Sequence, residues 1–117
     1  MKLPIVEQQQ LDHPEAILSL ELPGELLYFK GHFPDHPLLP GVVQIHWAIH
    51  YAKELLQLDS EFAGMEVIKF QNILTPERKV QLKLRWDQNK HKLHFSYIDP
   101  DSQLSFSSGR INFSAIS

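Results

Sequence analysis

From Val42 to about Leu58 the chain runs without a glycine or a proline, and its apolar side chains are spread around most of a helix surface. Val43, Ile45, Trp47, Ala48, Ile49 and Tyr51 leave little room for a wet face, so the segment predicts a helix buried on nearly all sides. Such a helix needs a cover, and the segments around it read as strands. RKVQLKLRW (78–86) alternates strictly, with Val80, Leu82, Leu84 and Trp86 on one face and Lys79, Gln81, Lys83 and Arg85 on the other. That is the period of a half-buried antiparallel strand. KLHFSYI (92–98) places Leu93, Phe95 and Tyr97 together, between turn segments DQNK (87–90) and DPDS (99–102). Strands are also expected at 15–22, 26–30, 65–74 and 104–116, with Gly109 marking a bulge or a close approach. The expected class is α+β: an antiparallel sheet curled around one central helix.

A length of 117 residues fits a single domain spanning 1–117, of a size that often completes its core by pairing with a second copy. The chain has no cysteine, which excludes disulfides and thiolate zinc sites. No run approaches the roughly 18 apolar residues of a membrane span. The amino-terminal residues lack the pattern of a signal peptide, so a soluble cytoplasmic protein is the expectation. The net charge of −3 argues against general nucleic-acid binding. It is unevenly spread: residues 1–66 carry three Lys or Arg against ten Asp or Glu, and residues 67–117 carry eight against four. The basic half could steer an acidic partner, with Arg78, Lys79, Lys83, Arg85 and Arg110 as candidate contacts, or simply form solvated strand faces.

The chemistry concentrates just before the helix, in GHFPDHPLLPGVVQIH (31–46). Pro34, Pro37 and Pro40 fix φ at every third position, which suits the loop to holding a side chain in one place. Leu39-Pro40-Gly41 then opens the helix with no Ser, Thr, Asp or Asn at the cap. The first amides, at Gly41 and Val42, are thereby offered to an anion or a developing oxyanion, unless water or the loop itself takes them. His46 and His50 lie one turn apart and continue into Lys53 and Glu54 as a polar stripe. That spacing can serve a metal, but there is no HExxH and no evident third ligand, so no metal site is expected.

Phe29-Lys30-Gly31-His32-Phe33-Pro34, then Pro37 and Pro40-Gly41-Val42, resembles the motif of the β-hydroxyacyl-acyl-carrier-protein dehydratases, which are hotdog-fold enzymes. Lys69-Phe70 followed by Pro76 is similar to a later element of that family, and the resemblance covers about residues 15 to 115. VVQIHWAIHYA looks most like the small dehydratase-like branch associated with aryl polyene biosynthesis. The resemblance implies a hotdog fold and a homodimer, with a heterodimer as the alternative, and no cofactor. The substrate implied is a 3-hydroxyacyl thioester on an acyl carrier protein or CoA. It also implies that His32 is the catalytic histidine and faces the partner subunit's central helix, and that the Gly41 amide receives the thioester carbonyl. The family's acidic residue, fourteen positions after the histidine, falls on His46, so an imidazole stands where a carboxyl is usual. Two other readings stay open: a non-catalytic hotdog subunit that binds acyl carrier or pairs with an active dehydratase, and an acyl thioesterase.

Overall fold

The computed structural model describes residues 3–23 and 38–114. In chain order it contains β1 (Ile5–Asp12), β2 (Glu15–Glu21), α1 (Gly41–Leu55), β3 (Phe62–Phe70), β4 (Lys79–Asp87), β5 (Lys92–Ile98) and β6 (Ser105–Phe113). The strands form one sheet in the order β1-β2-β4-β5-β6-β3, with every neighbouring pair antiparallel. β4, β5 and β6 are a meander, whereas β3 crosses to the far edge and pairs with β6. The short strand expected at 26–30 lies outside the described residues.

The alternation in the sequence sets which face of the sheet is dry. Val80, Leu82, Leu84 and Trp86 are buried and point the same way as Leu93, Phe95 and Tyr97, their partners across β5. Ala16, Leu18 and Leu20 extend this layer across β2, and α1 lies on it through Trp47, Ala48, Tyr51 and Ala52. Burying a side chain of this size stabilises by about 1.5–3 kcal/mol, so this one layer dominates the fold's energetics.

Three expectations change. The sequence places no strand before residue 15, because IVEQQQLD has no alternation, yet β1 forms there; all eight residues are exposed, and the strand exists through its pairing with β2. The helix stops at Leu55 rather than about Leu58, because Gln57 adopts a left-handed φ of 52°. The helix is also not covered all round. One sheet dries one side, leaving Val42 73% exposed and Ile45 and Ile49 half-buried. Gly109 is the close approach expected of it: a Cβ there would lie 2.7 Å from the Val67 carbonyl oxygen, where β3 bulges between Met65 and Ile68.

Candidate functional site at the helix start

The helix begins as its sequence requires. Pro40 stands at the cap position with φ −59° and ψ 144°, and no side chain among the described residues caps the helix. Its carbonyl accepts from the amides of both Val43 (3.1 Å) and Gln44 (3.2 Å). The two amides before these, on Gly41 and Val42, have no partner among the described residues. They sit at the positive end of the helix dipole, which favours an oxygen that carries or gains negative charge.

Gly41 lies against an aromatic ring. The ring of Phe70, at the end of β3, packs on it so closely that a Cβ would lie 2.5 Å from the ring's Cζ. Phe70 is itself 53% exposed, so this ring forms an accessible apolar wall beside the two amides. Trp47 and Tyr51, the aromatic residues of α1, are core instead.

Below the helix start runs a polar network that sequence reasoning missed. Gln44 is only 3% exposed; its Nε2 donates to the Leu39 carbonyl at 3.2 Å, and its Oε1 accepts from Ser107 Oγ at 2.7 Å. The hydroxyl of Tyr97 donates to the backbone carbonyl of Gln44 at 2.6 Å. Burial pushes the Tyr97 phenol well above its usual range, with the neighbouring Tyr51 adding to the effect, so it stays a donor. Leu39 is held on its other side, its amide donating to the Leu74 carbonyl at 2.8 Å. The signal available was an amide side chain, Gln44, set among apolar residues, with a tyrosine on the inward face of β5.

His46 lies one turn after Val42 and is exposed, on the side of α1 turned away from the sheet. His50 follows it, with its Nε2 3.5 Å from the Glu54 carboxylate and its ring edge-on to Tyr51. His32 lies outside the described residues, so the structure brings Gly41, Val42 and His46 together on one exposed end and edge of the helix. Among the basic side chains considered as partner contacts, Arg78 binds Asp99 at 3.0 Å, Lys79 lies 3.6 Å from Glu7, and Arg110 lies 3.3 Å from Glu66. Those three serve the fold's own charge balance, whereas Lys83 and Arg85 are exposed on the outer sheet face.

An antiparallel sheet laid around a single helix, with a bare helix start at one end, is the hotdog architecture. A chain of the dehydratase heterocomplex ApeI:P from Xenorhabdus doucetiae superposes with a TM-score of 0.89 at 40% identity, over 97% of this chain and 99% of that one. An uncharacterized protein from Erwinia carotovora subsp. atroseptica gives 0.87 at 35% identity, over 97% and 98%. A family model described as ApeI-like, ApeI dehydratase, matches residues 7–110, and the chain belongs to that family. It is also 33% identical over 83 residues to the 3-hydroxyacyl-[acyl-carrier-protein] dehydratase FabZ of Lactococcus lactis subsp. cremoris, covering 64% of this chain and 56% of that protein. The chain spans about half the length of the curated relatives it matches.

Proposed function

We propose that the chain removes water from 3-hydroxyacyl thioesters, held on a carrier protein or CoA, to give trans-2-enoyl thioesters in fatty-acid or polyene-type biosynthesis. The observation that carries this reading is the uncapped helix start, where the Gly41 and Val42 amides face an accessible edge one turn from His46. The thioester oxygen accepts from the Gly41 amide, with Val42 beside it. Neutral His32 takes the proton from C2, and the electron pair moves toward the thioester oxygen as an enolate. Donors aimed at that oxygen are worth about 3 kcal/mol where they have been removed in other enzymes. The pair then returns to form the C2–C3 double bond while the C3 hydroxyl leaves, protonated by imidazolium His46. Such general-acid help contributes about 10²–10⁴-fold.

The active form is a dimer in which His32 of one chain faces His46 of the other. The exposed apolar edge of β3, with Phe62, Met65 and Val67, supports a pairing surface there. A second reading is favoured by the imidazole at position 46 and by the relative that forms a heterocomplex: the chain is a subunit that turns over only beside a partner dehydratase.

The test is to incubate the purified chain with a 3-hydroxyacyl-CoA and follow enoyl absorbance. Turnover that His32→Ala abolishes is expected. Turnover indifferent to His32→Ala overturns the proposed base. No turnover alone but turnover on adding a second dehydratase subunit selects the second reading.

A further inference from the structure

We infer that Gln44, Ser107 and Tyr97 are positioning residues that set the direction of the Gly41 and Val42 amides. The inference rests on the proposed use of those amides, and it concerns groups that touch no substrate. An uncapped helix start is the part of a helix most prone to fray, because its first amides have no intrahelical acceptor. Here nothing on the helix itself prevents that, since Pro40 offers no side-chain cap and its single carbonyl is shared between two donors.

The restraint comes from the sheet instead. Ser107 on β6 holds Oε1 of Gln44, and Nε2 of the same side chain holds the carbonyl of Leu39, just ahead of the helix. Tyr97 on β5 holds the Gln44 main chain through its carbonyl. The first turn is therefore tied to two strands, once through a side chain and once through the backbone, and its entry strap is tied at Leu39. Both anchors converge on Gln44, one on its side chain and one on its carbonyl, so the turn is held from two strands three positions after Gly41. Phe70 closes on Gly41 from outside, so the amides are held between a polar clamp and an aromatic wall.

The placement argues for positioning over mere packing. Gln44, Ser107 and Tyr97 are all nearly or fully buried, where apolar residues of similar shape would fill the same space without needing matched partners. This buried polar cluster joins α1 to the sheet in the same turn that carries the donors. Donors for an oxyanion act only when held to within about 0.5 Å of the productive place.

Two variants test this, Tyr97→Phe and the paired apolar exchange Gln44→Leu with Ser107→Ala, each compared with Leu82→Val on β4. The readouts are amide NMR shifts of Gly41 and Val42, melting temperature, and the split between kcat and KM for a 3-hydroxyacyl-CoA. The clamp variants are expected to move both amide resonances and to lower kcat about 10²-fold, a loss of the size seen when an oxyanion donor is removed, at nearly unchanged KM. Leu82→Val is expected to lower the melting temperature without moving those resonances. Clamp variants whose Gly41 and Val42 resonances stay at wild-type positions overturn the inference. So do variants whose kcat loss only tracks their melting temperature, as it would for a structural role. A wild-type chain without turnover defeats the proposed function instead, and the NMR arm still decides the clamp.

Discussion

Gly41 and Gly109 each stand where a methyl group would collide with a neighbour, but the neighbours differ in what they can yield. At Gly41 the obstacle is the far end of the Phe70 ring, on a half-exposed side chain that can rotate away. Gly41→Ala should therefore change unfolding free energy by less than about 1 kcal/mol while displacing the Phe70 ring resonances. At Gly109 a Cβ would meet the Val67 backbone carbonyl at 2.7 Å and Ile68 Cδ1 at 2.5 Å, and the sheet holds that carbonyl in place. Gly109→Ala should cost about 1–3 kcal/mol in urea unfolding, as overpacked cores do. Gly109 was legible as a close approach because glycine inside a strand pattern has few other causes. Gln44 was not, because nothing local distinguishes an amide that finds Ser107 on a strand 63 positions away from one that faces water. Asp99 shows a titration with a defined sign. The Ser102 and Asp101 amides, then Arg78, hold its carboxyl below the usual carboxylate range. A depressed folded-state pKa gives stability that is present above the ordinary value and is lost as pH falls through the folded one. The stability gap between the wild type and Asp99→Asn should be full at neutral pH and close as pH drops below about 4 in acid-unfolding curves.

Among the elements, those whose sequences carry a period were readable and those defined only by a neighbour were not. β4 could be assigned with its inward face because Val80, Leu82, Leu84 and Trp86 alternate with polar residues, and all four are buried. β1 has no such pattern, and its membership of the sheet comes from a register with β2 that no local feature announces. The helix was visible from its composition, but its apolar surface is wider than one sheet can cover, and the excess at Val42 stays on the surface of a single chain. The outer sheet face makes a prediction of its own. In the register, His94 on β5 stands between Arg85 on β4 and Arg110 on β6. Partial burial lowers its pKa first, and the two guanidiniums and Lys90 lower it further against the opposing pull of Asp87. Because the unfolded chain takes up this proton more readily, folding stability should fall as pH drops through the ordinary histidine range near about 6.5. An NMR titration should find His94 below free histidine, and Arg85→Gln should move it upward; a midpoint unchanged by Arg85→Gln would remove the cross-strand explanation.

At the scale of the whole molecule, the two sheet edges are unlike. β1 ends the sheet with a run of glutamines, whereas β3 exposes Phe62, Met65, Val67 and Phe70 along a strand that pairs only with β6 among the described residues. An apolar open edge invites another chain, and the exposed Val42 end of α1 lies beside it through the Gly41–Phe70 contact. Replacing Met65 and Val67 together by lysine should give a monomer in sedimentation while leaving the fold's circular dichroism unchanged. Such an edge is legible only in three dimensions, because nothing local in the sequence says which strand ends the sheet. The proposed site makes the pairing testable by function, since it takes His32 from one chain and His46 from the other. A His32→Ala chain and a His46→Ala chain should each be nearly inactive alone. When they are co-expressed, random pairing makes about half the dimers mixed, and every mixed dimer has one site with both imidazoles and one with neither. The mixture should therefore recover about a quarter of wild-type turnover. If both histidines served a site within one chain, every chain in the mixture would lack one of them, and co-expression would restore nothing.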